Sequence, residues 1–542
     1  MIRLFRIVGR KYVLYLCVSV CVWVGFLIGT TLKINTKKAY TFREQEYVSR
    51  CNLEVLSKFN NNTDFLVESE VCKIPRVNPF DPSIKEFLPD DPQISVCDNS
   101  NVFTYVDNNN LYINFTKSRN QVEYCSYKPI YYISNSFKLG KVSGHFNKSV
   151  RVTDEFIKVQ CYDAFNKVIA KNFHTVFVKK NPIKKASDLR NDVVQMKNIP
   201  NMDNHRETRL NVLLIMIEST SRINSVRYLR KTRKYLLETL NATELLGYNK
   251  VAENTRPNMA ALLTGDFIEN SSCFKDSEGI DKCPFIWKEF SKLGYTTHYG
   301  QDTFYSVGKP GFKLQPTDYY DQPFHDAYQQ GTKHIFDFCF NGKSSSEYVN
   351  ARMFNLVSNL KDNPFFSLSM HIRMTHDSVT RAVTIDKLIS KTLQRLHKNS
   401  LLNNTFLALF GDHGIRSGKV RPTFIGQLEE RLPMMLMYVP PWFKNKYCSY
   451  FKNLRTNARR LTTHFDTHST LLHLLDLDNN HHGIKTYRQK GISLFKEIPR
   501  NRSCQDAHIP SKWCACNFRL KKKKNISNCS HCIYLISSYV SN

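Results

Sequence analysis

Residues 211–218 read NVLLIMIE, an almost continuous apolar run that ends at the carboxylate of Glu218. Such a run is typical of a strand buried on both faces of a parallel sheet. Three further runs end in a carboxylate or an imidazole: TFLALFG (405–411) before Asp412 and His413, PFFSLSM (364–370) before His371, and YTTHYG (295–300) near Asp302. Helical patterns separate these runs, which indicates an α/β domain with helices on both faces of a parallel sheet.

The strand ends predict a metal site. Ligands of open parallel sheets bind beyond the carboxyl ends of the strands, and carboxylates and imidazoles are ordinary ligands of divalent cations. We expect Glu218, Asp412 and His413 to hold such an ion, with His371 and Asp302 as further candidates. Each residue alone also fits a helix cap or a turn, so the prediction depends on several ends acting together.

The stretch KVAENTRPNMAALLTGDF (250–267) predicts a helix with Pro257 in its first turn, where proline needs no amide donor. Thr255 then lies near the helix N-terminus, where the dipole favours negative charge. The purely structural interpretation of Thr255 is that it caps the helix N-terminus. Alternatively, a cation at the strand ends would bind its oxygen as well, and would make Thr255 a nucleophile at neutral pH.

The N-terminal region predicts a membrane anchor. Residues 12–32, YVLYLCVSVCVWVGFLIGTTL, are uncharged and long enough to span a bilayer. Basic residues precede and follow them, with a bias that places residues 1–11 in the cytoplasm. We therefore expect a signal anchor and a single-pass type II membrane protein, with its catalytic domain in the Golgi lumen or outside the plasma membrane.

Sequons and cysteines agree with a secretory glycoprotein. The sequons are spread along the chain, at Asn61, Asn114, Asn147, Asn241, Asn270, Asn403, Asn501, Asn525 and Asn528. Of 16 cysteines, Cys17 and Cys21 lie in the predicted span, and the others are expected to form disulfides in an oxidising compartment. Zinc is the alternative for the last group, which comprises Cys514, Cys516, Cys529, His531 and Cys532.

The net charge of +30 predicts an anionic partner. A nucleic-acid partner is not expected, because the predicted location is lumenal and the sequence contains no recognised nucleic-acid-binding motif. An anionic ester on a glycan or a lipid headgroup fits better, and a solvated basic surface without a specific ligand is the alternative.

Composition divides the chain into successive segments. A polar stem is expected at 33–60, and short alternating stretches predict a disulfide-tied β-rich module with a charged linker at 61–208. The α/β domain follows at 209–500. A Cys- and Lys-rich tail occupies 501–542.

Long motifs in the same order resemble those of the domain-of-unknown-function 229 family, over roughly residues 70–516. They include NVLLIMIESTSRINSVRYL, VAENTRPNMAALLTG, CPFIWKEFSKLGYTTHYGQD, LLNNTFLALFGDHGIRSGKV, LEERLPMMLMYVPPWF and RLTTHFDTHSTLLHLLDL. That family belongs with the alkaline phosphatase and sulfatase superfamily. The resemblance implies an alkaline phosphatase-like fold, a sandwich with helices on both faces of a parallel sheet.

The resemblance also implies roles for the site residues. Thr255 matches the metal-bound nucleophile, Asp412 and His413 match the late Asp-His pair, and Glu218 matches the first acidic ligand. Glutamate there is similar to the single-metal phosphoglycerol and phosphoethanolamine transferases. The candidates for a second metal site are His371, His376, Asp302, His464 and His468, and His468 fits a packing or capping role equally well. One or two ions, zinc or manganese, are expected.

One departure from the sulfatases favours phosphate chemistry. Sulfatases convert a cysteine or serine to formylglycine, which Thr255 cannot give, and Met259 replaces their arginine. The sequence therefore predicts a hydrolase or transferase of phosphate esters, with His376 protonating the leaving group. Arg256, Arg222 and Lys250 are candidates for clamping the substrate. The alternatives are a sulfate-ester hydrolase and a non-catalytic binding protein that keeps the fold.

Overall fold

The computed structural model describes residues 64–89, 92–118, 121–180, 209–276, 279–303, 307, 311–330, 338–340, 342–361, 363–478 and 490–518. The predicted cytoplasmic segment, membrane anchor and stem lie outside these residues, as does the tail beyond residue 518. Within the described ranges, no helix combines the length and the apolar character needed to cross a bilayer.

The chain divides into two compact units. One consists of Met1–Asn61 with Pro441–Cys448, and the other of Asn62–Pro440 with Ser449–Asn542. In the first unit the described residues are 441–448, and they contain the short helix Pro441–Lys446. All sheets belong to the second unit.

The N-terminal part of the second unit consists of antiparallel strands. They are β1 (Phe65–Glu68), β2 (Lys73–Pro75), β3 (Thr104–Asp107), β4 (Asn110–Ile113), β5 (Tyr124–Ile133), β6 (Ser136–Leu139), β7 (Ser149–Arg151), β8 (Phe156–Tyr162) and β9 (Val168–Thr175). Strands β1 and β2 pair with each other, and the rest form sheets of order β3-β4-β7 and β6-β5-β8-β9. The disulfide Cys125–Cys161 joins directly opposed positions of β5 and β8. The predicted β-rich, disulfide-tied character of this region agrees with the structure.

A seven-stranded sheet follows, of order β11-β19-β18-β10-β17-β13-β14. The strands from here onward are β10 (Asn211–Ile217), β11 (Thr243–Glu244), β12 (Gly247–Asn249), β13 (Thr296–Gln301), β14 (Tyr319–Tyr320), β15 (Cys339–Phe340), β16 (Lys343–Ser344), β17 (Phe365–His371), β18 (Thr405–Phe410), β19 (Met435–Tyr438) and β20 (Leu461–Thr463). Strand β10 lies at the centre, and all of its side chains are buried. The predicted apolar strands therefore form the middle of the sheet.

The sheet is mixed, whereas the sequence predicted a parallel one. Strands β18, β10, β17, β13 and β14 are parallel, but β19 pairs antiparallel with β18 and β11 pairs antiparallel with β19. The chain leaves β18 at its carboxyl end, forms a helix over Phe424–Arg431 and re-enters at the same end, where the Gly411 N–H donates to the Met434 carbonyl. That return reverses β19 and places the intervening segment 411–434 at the candidate-site edge of the sheet.

The described residues also form α-helices. In chain order they are α1 (Phe115–Ser118), α2 (Arg222–Tyr228), α3 (Arg230–Lys234), α4 (Thr255–Thr264), α5 (Ile286–Lys292), α6 (Gln322–Gln329), α7 (Ser345–Asn359), α8 (Ala382–Lys398), α9 (Phe424–Arg431), α10 (Pro441–Lys446), α11 (Cys448–Asn457) and α12 (His464–Leu474), with a π-helical turn at Tyr235–Thr239. A core cluster joins Leu213, Ile215 and Ile217 of β10 to buried residues of α7 and α8. This apolar core fixes the positions of the strand ends.

Five disulfides lie within the described residues: Cys72–Cys516, Cys97–Cys339, Cys125–Cys161, Cys273–Cys283 and Cys504–Cys514. Cys514 and Cys516 are both oxidised, so the alternative that these two bind zinc is wrong. The predicted disulfides are confirmed for these cysteines. Cys529, His531 and Cys532 lie outside the described residues.

Candidate active site

Two neighbouring strands bring the principal predicted metal ligands together. Glu218 follows β10 directly, and Asp412 and His413 follow the adjacent strand β18 by two and three residues. All three side chains are fully buried. One potential ligand atom from each lies within 4.8 Å of the other two, which is the spacing that a single cation requires.

Thr255 is the first residue of α4 and faces this cluster. Its Oγ1 donates to Oε1 of Glu218 at 2.8 Å and lies 3.4 Å from Nε2 of His413. Asn254 occupies the N-cap position, so Thr255 is not the cap, and its hydroxyl points to the acidic cluster. The side chain of Asn258 bonds the backbone of Val251 and Ala252, which fixes the loop ahead of α4.

The two carboxylates contain buried oxygens without protein partners. Asp412 Oδ1 accepts from the Ser219 N–H at 3.0 Å. In contrast, Oε2 of Glu218 and Oδ2 of Asp412 have no hydrogen-bond donor among the described residues. Burial raises the pKa of Glu218, and the Asp412 charge raises it further. Leaving buried carboxylate oxygens unpaired is costly, so this pair fits a divalent cation.

The imidazole of His413 is prepared as a ligand. Its Nδ1 lies 2.7 Å from the Gly414 carbonyl, so Nδ1 carries the proton that this acceptor requires. The Nε2 lone pair then faces Oδ2 of Asp412 at 3.2 Å and Oε1 of Glu218 at 3.5 Å. Burial lowers the pKa of His413 to about 4, which keeps the ring neutral. A neutral histidine anchored through its second nitrogen is the usual form of a metal ligand.

Asp302 and His468 are held by nearby protein groups, which for His468 is the packing or capping alternative that the sequence left open. The Asp302 carboxylate accepts from the N–H groups of Ile372 and Arg373 and from the Ser345 hydroxyl, so it braces the end of β17. His468 Nδ1 lies 3.0 Å from the Leu262 carbonyl, near the far end of α4 from Thr255. Neither side chain belongs to the cluster that Glu218, Asp412 and His413 form among the described residues.

The remaining candidate histidines flank the cluster. His371 ends β17, its carbonyl accepts from the Glu218 N–H, and both ring nitrogens are buried without a hydrogen-bond partner among the described residues. His464 is also buried, and its ring packs on Tyr248 at 4.9 Å. His376 is partly exposed, and its Nδ1 lies 2.7 Å from Asp377, which orients the ring.

Two of the three predicted clamp residues are occupied by ion pairs. Arg222 pairs with Glu244 at 3.2 Å, and both side chains are largely buried. Lys250 is buried, donates to Glu430 at 3.0 Å and lies 3.6 Å from the centre of the Trp513 ring. Both are thus structural cations rather than open anion clamps. Arg256 follows Thr255 in the first turn of α4 and is partly buried.

Sequence reasoning missed two residues near the cluster. Ser219 adopts a φ of 54°, a strained conformation for a non-glycine residue, and its N–H binds Asp412. Arg416 follows His413 by three residues, and its charge opposes the rise in the pKa of Glu218 that burial and Asp412 cause. A basic residue shortly after an Asp-His pair at a strand end is the signal that could have identified Arg416.

Comparison with known proteins places the chain in a family. Residues 90–540 match the family described as "Protein of unknown function (DUF229)". The chain belongs to this family. A comparison with curated proteins finds no match.

Three solved structures are distantly similar to this DUF229 chain. A protein in the alkaline phosphatase superfamily from Vibrio parahaemolyticus is 16% identical at a TM-score of 0.39, over 59% of this chain and 80% of that one. A phosphonate monoester hydrolase from Silicibacter pomeroyi is 14% identical at 0.36, over 54% and 78%. The lipooligosaccharide phosphoethanolamine transferase A of Neisseria meningitidis is 14% identical at 0.38, over 54% and 61%. Similarity this weak assigns no activity to the chain.

Proposed function

We propose that this protein is a metal-dependent hydrolase or transferase of phosphate esters that uses Thr255 as its nucleophile. One observation carries the proposal. Thr255 is the first residue of α4, and its hydroxyl lies within hydrogen-bond reach of Glu218 and His413. Beside it lie carboxylate oxygens that lack hydrogen-bond donors among the described residues. The sequence resemblance to the alkaline phosphatase superfamily supports the same assignment.

Glu218, Asp412 and His413 would hold the divalent cation, with zinc or manganese as the proposed metal. When bound there, the ion would stabilise the negative charge that develops on the attacking and transferred oxygens. His413 contributes a neutral nitrogen, because its other nitrogen is fixed on Gly414. Ser219 holds Asp412 in place through its N–H.

Thr255 would attack the phosphorus atom, and the bond from phosphorus to the leaving oxygen would break. The hydroxyl already donates to Glu218, so this carboxylate is placed to accept the proton. His376, oriented by Asp377, would donate a proton to the leaving oxygen. Water or another hydroxyl would then take the phosphoryl group from Thr255 and restore it, giving hydrolysis or transfer respectively.

The substrate class and the location are part of this proposal. An anionic ester on a glycan or lipid headgroup suits the basic chain, whose net charge is +30. The described disulfides support a lumenal or extracellular address, because such bonds persist in oxidising compartments. Residues 12–32 would anchor the protein in the membrane.

The decisive experiment measures bound metal per chain together with turnover of a phosphate ester. We expect the wild type to bind about one equivalent of zinc or manganese, since the described residues form one cluster of carboxylates and imidazole, and the other group of potential ligands, Cys504, Cys514 and Cys516, is held in disulfides. Asp412→Asn should lose the metal and the turnover, whereas Asp326→Asn, a matched change elsewhere, should retain both. Wild-type protein that binds neither metal after both are supplied would refute the proposal and favour a binding protein.

A further inference from the structure

A basic cleft lies beside the candidate active site. Its volume is about 670 Å³, and its lining includes Arg416, Arg421, Arg431, Lys512, Glu430 and Trp513. Glu430 is the one acidic side chain among the described residues that line it. We refer to this group as the basic cleft.

The carboxylate of Glu430 is already paired. It accepts from Lys250 at 3.0 Å and from two nitrogens of Arg421, each at 3.1 Å. Arg416, Arg431 and Lys512 form no ion pair with any carboxylate among the described residues. Within the described part of the protein, Glu218 acts on Arg416 and Glu430 acts on Arg431 only from beyond ion-pair distance, so no direct ion pair neutralises these three cations.

Two of these cations also have a buried nitrogen donor without a hydrogen-bond partner among the described residues. The Nε atoms of Arg416 and Arg431 are buried and find no hydrogen-bond partner among the described residues. The other guanidinium nitrogens of Arg431 donate to the carbonyls of Gln427 and Lys512 at 2.8 Å, which holds this side chain at the cleft. Unpaired buried donors are costly, and guanidinium groups bind anions with several oxygens through charge-assisted hydrogen bonds.

The basic cleft is physically connected to the candidate active site. Arg416 belongs to the same loop as Asp412 and His413, and the Gly414 N–H of that loop donates to the Glu430 carbonyl at 3.2 Å. On the other side, the N–H of Lys250, five residues before Thr255, donates to the Arg431 carbonyl at 2.9 Å. The two loops that hold the predicted reacting groups thus both rest on the wall of the cleft.

We propose that the basic cleft is a subsite for a second, non-reacting phosphate or sulfate group of the substrate, bound by Arg416, Arg431 and Lys512. This inference rests on the proposed function, because it places the substrate's reactive ester at Thr255. A cleft of this size accommodates much more than a single anion. The substrate is therefore an ester that carries at least two anionic groups, on either a glycan or a lipid headgroup.

Calorimetric binding to the full chain carrying Thr255→Ala tests the subsite without turnover. Inositol bisphosphate should bind about tenfold more tightly than inositol monophosphate, because the second group gains charge-assisted hydrogen bonds. Arg416→Gln and Lys512→Gln should each remove about this tenfold advantage. Lys512 is exposed, so its replacement leaves folding intact. Lys138→Gln removes an equal charge from an exposed position of β6 and should change neither affinity.

Equal affinity for the two inositol phosphates, or an equal effect of Lys138→Gln, would overturn the subsite. Displacement of the bisphosphate by a sulfated heparin disaccharide would identify a glycan. Displacement by phosphatidylcholine vesicles containing phosphatidylinositol bisphosphate, and not by phosphatidylcholine alone, would identify a headgroup. If neither displaces it, the assignment to substrate is wrong. Failure of the proposed function would give a different result: the wild type would show neither metal binding nor turnover, while the affinities for the two inositol phosphates would be unchanged.

Discussion

At the scale of single residues, Thr255 shows how position determines chemistry. A threonine at the N-cap would accept a hydrogen bond from the helix backbone. Here Asn254 takes that position, and the Thr255 hydroxyl instead donates to Glu218. A shift of one residue along the helix thus turns a capping side chain into a group that faces the acidic cluster.

This geometry predicts a phosphothreonine intermediate. When the wild type is quenched with acid during turnover of a phosphate ester, mass spectrometry should find phosphate on Thr255. Thr255→Ala should lose turnover by about 10³-fold or more, whereas Thr255→Ser, which keeps the hydroxyl, should retain measurable activity. Thr264→Ala changes the same residue type at the other end of α4 and should be active. Full activity of Thr255→Ala would exclude the nucleophile.

The residues near the site differ in how far the sequence could predict them. Glu218, Asp412 and His413 follow buried strands, and adjacent parallel strands necessarily bring such ends together. Asp302 also follows a strand, but its oxygens are taken by nearby N–H and hydroxyl donors. Lys250 looked like an open cation, but Glu430 is 180 positions away in the chain. Residue type and strand position identify a candidate, whereas partners distant in sequence decide its role.

The raised pKa of Asp326 predicts that the stability of the protein depends on pH. Burial raises its pKa from 3.8 to about 6. Between these values the folded protein holds the proton more strongly than the unfolded chain, so the free energy of unfolding falls as the pH rises. Asp326→Asn should remove this loss and gain up to about 3 kcal/mol relative to the wild type above about pH 6. Urea denaturation should show little gain near pH 4, and a difference that stays constant up to about pH 8 would contradict the assignment.

At the scale of elements, the segment between β18 and β19 holds the candidate site and the basic cleft together. The sequence predicted the strand β18 and its Asp-His ending. It did not predict that the chain would return at the same edge of the sheet. An apolar run such as β19 indicates a buried strand, but it does not indicate whether that strand pairs parallel or antiparallel with its neighbour. The close approach of Gly414 to α9 is a consequence of this return of the chain.

Gly414→Ala should therefore disturb the site without changing any predicted ligand. A Cβ atom at this position would lie 1.9 Å from the Glu429 carbonyl oxygen, which no local adjustment of a side chain can relieve. We expect a loss of about 1–3 kcal/mol in stability and weaker metal binding, because His413 is fixed through Gly414. Thermal denaturation and bound metal per chain measure the two effects. Gly144→Ala, whose Cβ would meet nothing within 4 Å, is the control. Unaltered metal content in Gly414→Ala would show that the loop is not rigid.

At the scale of the second compact unit, a disulfide joins the beginning of the described chain to its end. Cys72 and Cys516 are separated by 444 positions, and both lie against a cluster that includes Trp513 and Leu66. This cluster packs the β1–β2 hairpin against the segment that carries Lys512 and Trp513. The bond therefore holds one wall of the basic cleft to the β1–β2 hairpin.

Removing this disulfide should cost more than removing a local one. Cross-linking distant positions restricts the unfolded chain more than closing a short loop, so we expect about 3–5 kcal/mol for Cys72→Ala with Cys516→Ala and about 2–3 kcal/mol for Cys273→Ala with Cys283→Ala. The second pair is separated by 10 positions. Both cysteines must be replaced, because Sγ of Cys516 lies 3.6 Å from Sγ of Cys504, and a free thiol there would exchange with the Cys504–Cys514 bond. Denaturation in urea under non-reducing conditions compares the two variants. Equal losses would mean that packing of the cluster, rather than the covalent bond, holds the hairpin to the C-terminal segment.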